Sequence, residues 1–127
     1  RGAGRAEIAQ AALDSTAFQT GDLLTAMAGD GMKTVSLKVD GGMASNDRFL
    51  QRLADLTGIE VVRPVNTETT AWGSAFLAGL GAGMFSSIED GRALWRADRS
   101  FAPQLDDGAR SARIASWNEA VLRTRTR

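Results

Sequence analysis

Ile8, Leu13, Ala17, Leu24 and Met27 fall at helical intervals between residues 6 and about 28, in a stretch without Pro and with one internal glycine, Gly21. The pattern predicts a long helix with one buried stripe, broken by Gly29-Asp30-Gly31. Val35-Ser36-Leu37-Lys38-Val39 then alternates apolar and polar positions, the period of a strand with one covered face. After Asp40-Gly41-Gly42, Phe49, Leu50, Leu53 and Leu56 mark a second helix. Ser45 or Asn46 is placed to cap its start, and Gly58 to stop it at C′.

Residues 59 to 65 are short and β-branched, with Pro64 near the end where a missing N–H matters least, and they predict a second strand. A helix from about 70 to 84 follows, carrying Ala71, Ala75, Gly79 and Gly83 every fourth residue. Ser87 with Asp90 resembles a capping pair for a short helix through Trp95. Phe101-Ala102-Pro103 is a break, and Ile114, Trp117 and Val121 give a last helix a narrow apolar face. Strand, helix, strand and helix in this order argue for an α/β fold with a parallel, right-handed βαβ unit. Two strands are few for a sheet packing long helices, since stable sheets usually have about four to six. The sheet is therefore expected to be incomplete, either dimerising through an open edge or continuing with strands upstream of Arg1.

Composition narrows the chemistry. Fifteen Lys and Arg balance fifteen Asp and Glu, so no net field draws nucleic acid or an anionic membrane. The absence of Cys and His removes disulfides, thiolate nucleophiles, the usual zinc ligands and imidazole bases. No charge occurs between Glu68 and Glu89, about one bilayer span, yet the small-residue spacing and lack of flanking Lys or Arg favour a buried helix with a close neighbour. The opening Arg1-Gly2-Ala3-Gly4-Arg5 has no apolar signal segment, and a cytoplasmic chain is expected.

The most informative local feature is Val39-Asp40-Gly41-Gly42 with Asn46 following, at a strand-to-helix turn. Ligands of open α/β sheets bind beyond the carboxyl ends of strands, where glycines let a flat or charged ligand touch main chain. Asn46 offers an amide donor and acceptor suited to a purine edge, and equally makes an ordinary N-cap. Asp40 reads as a general base or magnesium ligand, or as a turn cap; no second carboxylate stands at a predictable distance. Glu68 reads as a helix N-terminal charge, and Arg123, Arg125 and Arg127 as a solvated basic helix end. There is no complete Gly-x-x-x-x-Gly-Lys-Ser/Thr loop and no nucleophile-base pair.

Three segments carry a family resemblance. LKVDGGMASNDRFLQRLADLTGIEVVRPVNTETTAWGSAFLAGLGAGMF resembles the nucleotide segment of glycerol kinases, carbohydrate kinases built on the actin-like (ribonuclease H-like) ATPase fold. FAPQLDDGARSARIASWNEAVLRTRTR is similar to the family's closing Phe-x-Pro break and helix, and RAEIAQAALDSTAFQTGDLLTAM to the preceding helix. The resemblance implies that 1–127 is the C-terminal portion of a nucleotide-binding domain, with 104–127 its closing helix. It implies that the Gly-Gly-x-x-x-Asn turn, here Gly41, Gly42 and Asn46, forms part of an adenosine pocket for ATP or ADP. The catalytic Asp, the glycerol contacts, the phosphate hairpins and the Mg2+ ligands are implied to lie upstream, so this chain alone would be inactive. It also implies that the small face from Ala71 to Gly83 packs inside the domain. A homo-oligomer is expected, with no nucleic-acid or membrane partner. The competing readings are a non-catalytic nucleotide-binding or dimerisation module, and the same part of another carbohydrate kinase.

Overall fold

The structure is a computed structural model that describes residues 2–125. Helix α1 (Arg5–Gly29) leads into strand β1 (Ser36–Lys38), a 3₁₀ turn (Gly42–Ser45), helix α2 (Asp47–Thr57) and strand β2 (Glu60–Pro64). Helices α3 (Thr69–Gly81) and α4 (Ile88–Leu94), strand β3 (Ala97–Phe101) and helix α5 (Asp107–Arg125) complete the order. Strands β1 and β2 are parallel, with Leu37 opposite Val61, as the strand-helix-strand pattern predicts. Strand β1 is shorter than the alternation implied, because Val35 is exposed while Leu37 and Val39 pack on the core.

Helix α2 is the centre of the molecule. Phe49, Leu50, Leu53, Ala54 and Leu56 are all buried, meeting Ala17 of α1 on one side and Val61 and Phe101 of the sheet on the other. Truncating a fully buried Leu such as Leu50 costs about 2–5 kcal/mol, so this stripe dominates the packing energy. The stripe on α1 is covered only in its middle: Ala17 is buried, but Ile8 is exposed. The helix lengths explain this, since 25 residues extend about 37 Å and the 11 of α2 only about 16 Å. Helix α5 closes over the same layer. Its Trp117 stacks on Phe18 with centroids 5.0 Å apart and donates through Nε1 to Asp22 at 3.0 Å. Arg123 and Arg125 occupy its last turn, while Arg127 lies outside the described residues.

Two expectations are corrected. The sheet has three strands, not two, because β3 pairs antiparallel with β2, placing Phe101 opposite Val61 and Ser100 opposite Val62. Residues 97–100 are exposed and mostly polar, so this edge strand carries no alternation to read. Pro64 sits at the last position of the central strand, where the ladder is already irregular. The other edge of β1 has no strand beside it among the described residues.

The small face of α3 does not pack as expected. Ala71 and Ala75 are exposed, and Gly83 lies beyond the helix end. No described element crosses that face; instead the chain folds back on itself. Phe85 lies over Gly79, where a Cβ would approach its ring to 2.9 Å, and Phe76 lies over Gly91, where a Cβ would stand 2.7 Å away. Phe76 also contacts Phe85 and Trp72, with centroids 4.8 and 5.9 Å away. No described helix is long and apolar enough to cross a membrane.

Candidate functional site

Beyond the carboxyl ends of β1 and β2, two loops are tied together. Val39 N–H still donates to Val62 O at 3.1 Å, and then the chain turns sharply at Gly41, where φ is 81°. That backbone region is open to glycine at little cost and costs other L-residues about 1–2 kcal/mol. Gly41 N–H donates to Thr67 O at 2.8 Å, and the Asp40 carboxylate accepts from the Thr69 hydroxyl. Asp40 therefore ties the turn to the first residue of α3, just past the next loop, by a tertiary contact that is neither of the roles its position suggested. In that loop Glu68 N–H donates to Asn66 Oδ1 at 2.9 Å, and Glu68 stands at the N-cap of α3.

The 3₁₀ turn carries Gly42 to Asn46. Ala44 N–H donates to Gly41 O, Asn46 N–H to Met43 O, and the Ser45 hydroxyl to Gly42 O. Asn46, not Ser45, caps α2: its Oδ1 accepts from Phe49 N–H at 3.1 Å. Its amide nitrogen has no partner among the described residues, leaving two N–H donors on an exposed side chain. Gly42 lies outside the left-handed region, so the backbone constraint in this turn belongs to Gly41. A Cβ added at Gly41 or Gly42 would meet nothing within 4 Å. The main chain here is consequently bare and approachable, which fits a flat group laid against it.

The structure thus brings Gly41, Gly42 and Asn46 together on one exposed turn, with Asp40 behind it. Sequence reasoning missed Arg63. From β2, its Nη1 donates to Ala44 O at 3.2 Å and to Asp47 Oδ1 at 2.6 Å, while Nε donates to Asp98 Oδ2 at 2.7 Å. The hydrogen-bonded carboxylates of Asp98 and Asp47 raise the basicity of its guanidinium above the ordinary value. Arg99 of β3 reaches the second oxygen of Asp47 at 2.5 Å. Nothing in the spacing marks Arg63, because its partners come from elements far apart in the chain.

A separate cleft of about 760 Å³ opens between the sheet end and helices α3 and α4, with walls that include Val65, Asn66, Trp72, Phe76 and Trp95. Lys38 lies over the Trp95 ring, 4.0 Å from its centroid. Gly41, Gly42 and Asn46 are not among its walls. Among the described residues no group of three or more acidic side chains is placed to hold a metal ion.

Comparison with known proteins gives this geometry a context. Residues 1–82 match the C-terminal domain of the FGGY family of carbohydrate kinases. A glycerol kinase of Aromatoleum aromaticum is 52% identical over 126 residues, covering 98% of this chain and 25% of that protein. Another from Gluconobacter oxydans is 50% identical over 126 residues, with the same coverage of 98% and 25%. The chain spans about a quarter of the length of the curated relatives it matches. Among solved structures, glycerol kinase of Plasmodium falciparum with ADP superposes with a TM-score of 0.81 at 31% identity, over 97% of this chain and 25% of that one. A xylulose kinase of Lactobacillus acidophilus shares the fold, with a TM-score of 0.66 at 18% identity over 89% of this chain and 22% of that one.

Proposed function

We propose that this chain, which belongs to the FGGY family of carbohydrate kinases and matches its C-terminal domain, supplies the adenosine side of the ATP site of a glycerol kinase. Its α/β fold is that of the carbohydrate kinases, within the actin-like ATPase superfamily. The reaction is glycerol plus ATP to glycerol 3-phosphate plus ADP. The observation that carries the reading is the bare turn beyond β1: Gly42 has open space where a side chain would project, beside the unpaired amide nitrogen of Asn46. A purine or ribose fits against that main chain, and the Asn46 amide suits the acceptors on a purine edge. The relative solved with ADP supports a nucleotide as the ligand.

ATP supplies the phosphoryl group that is transferred. The part of this chain in that reaction is positional: Gly41 sets the turn, Gly42 leaves room, and Asn46 orients the base. Phosphoryl transfer also requires magnesium and a residue that accepts the hydroxyl proton. In keeping with the family resemblance, both roles are assigned to the rest of the enzyme. Glycerol binding is assigned there too. On this reading residues 1–127 form the C-terminal portion of the nucleotide-binding domain of a cytoplasmic kinase, with 104–127 closing it.

Coupled ADP release tests the division of labour. The enzyme comprising this chain and the other three quarters of a glycerol kinase turns over with glycerol and ATP, and the chain alone gives no glycerol-dependent ADP. Turnover by the chain alone, abolished by a substitution within it, would refute the assignment.

A further inference from the structure

The Gly42–Ser45 turn is a single 3₁₀ segment, and such segments have weak internal hydrogen-bond geometry and leave carbonyls over at their ends. Its placement therefore depends on what holds it from outside. On the side of the next loop that is the Thr67 carbonyl, bonded by Gly41 N–H. On the side of the sheet it is Arg63, which bonds the leftover carbonyl of Ala44 and the carboxylate of Asp47. These two groups flank Asn46 in the chain. Arg63 is itself held from behind by Asp98 through both Nε and Nη2, and its side chain is only 15% exposed. A planar guanidinium can span two such directions at once, whereas an ammonium is a point charge on a flexible stem.

We propose that Arg63 is a positioning residue for nucleotide binding: through Ala44 O and Asp47 it sets where Gly42 main chain and the Asn46 amide stand. This rests on the reading of that turn as the adenosine site. The ligand lies on the open side of the turn and Arg63 on its sheet side, so Arg63 acts without touching the nucleotide. Arg63 is outside the apolar cluster of α2 and takes no part in the Asn46 cap bond, so its role is separable from that of the core.

The test is steady-state kinetics of the whole enzyme with five variants. Arg63→Gln raises the KM for ATP about 2- to 12-fold, the size of a typical net hydrogen bond, with kcat and the glycerol KM within about twofold. Arg63→Lys restores part of the loss, and Asp98→Asn, which frees Arg63 on one side only, moves the ATP KM less in the same direction. Arg52→Gln, which breaks a pair between α1 and α2 away from the turn, lowers the melting temperature and leaves the ATP KM alone. Should Arg63→Gln fail to fold, Asp98→Asn decides the question. If Gly42→Val weakens ATP and the Arg63 and Asp98 variants do not, the proposal is overturned and the site stands. An equal ATP effect from Arg52→Gln also overturns it, as general loosening. If Gly42→Val itself has no effect, the site assignment fails and this proposal fails with it.

Discussion

Arg52 grips Asp14 with two parallel hydrogen bonds, Nε to Oδ1 at 2.9 Å and Nη2 to Oδ2 at 2.6 Å, joining α2 to α1. Both side chains are largely covered, at 18% and 16% exposure. Burial works to raise the Asp14 carboxyl, but hydrogen bonds from Arg52 and Gln10 and the Arg52 charge outweigh it and lower the pKa. A lowered folded-state pKa means that the pair's stabilisation is present above the unfolded value of about 3.9 and is lost as pH falls through the folded one. Denaturant unfolding at pH 7 should show Arg52→Gln destabilised by about 1–3 kcal/mol, between exposed and buried pairs. In Asp14→Asn the fall in stability below about pH 4 should flatten. An unchanged acid limb in Asp14→Asn would contradict the role given to this carboxylate.

Gly58 closes α2 in the left-handed region, at φ 71°, with the Arg110 guanidinium of α5 lying against the place a side chain would take. Gly58→Ala is expected to cost about 1–2 kcal/mol, chiefly for the backbone, since Arg110 can shift. Gly58→Asn should cost less, because Asn tolerates this conformation better. Unfolding midpoints of the two variants check the order; a loss in Gly58→Ala no larger than in Gly58→Asn would contradict it.

These two sites also show what the sequence made legible. Gly58 and the run Phe49, Leu50, Leu53 and Leu56 mark a helix end and face because cap and periodicity act within a few residues of chain. The turn at Gly41, Gly42 and Asn46 could be located for the same reason. Strand β3 could not: it is fixed by pairing with β2, and its one buried side chain, Phe101, reads as part of a break before Pro103. Arg63 was equally hidden, since its partners Asp47 and Asp98 lie 16 and 35 residues away. The regular spacing of Ala71 and Ala75 was visible, but their burial depends on an element that crosses that face.

Exposed apolar side chains give a third expectation. Val65, Leu77, Met84 and Ile88 are exposed, and the free edge of β1 adds unpaired backbone groups. Surfaces of this kind favour association. The isolated 127-residue chain should therefore self-associate, with a sedimentation coefficient that rises with concentration. Leu77→Lys with Met84→Lys should weaken the effect. A compact monomer at every concentration, without binding of a dye for apolar surface, would contradict this.

The assignment of the adenosine site is tested most directly by titrating ATP into the whole enzyme carrying Gly42→Val, Asn46→Ala or Asn46→Asp. Gly42 tolerates a side chain in backbone terms, so a valine there acts by occupying the open space above the turn. Asn46→Asp keeps the oxygen that caps α2 and removes the free amide donor, separating capping from ligand binding. The expected result is a 2- to 12-fold loss of ATP affinity for Asn46→Ala, about one net hydrogen bond, a comparable loss for Asn46→Asp, and a larger one for Gly42→Val, all with glycerol affinity unchanged. ATP binding like the parent in all three folded variants would contradict the assignment.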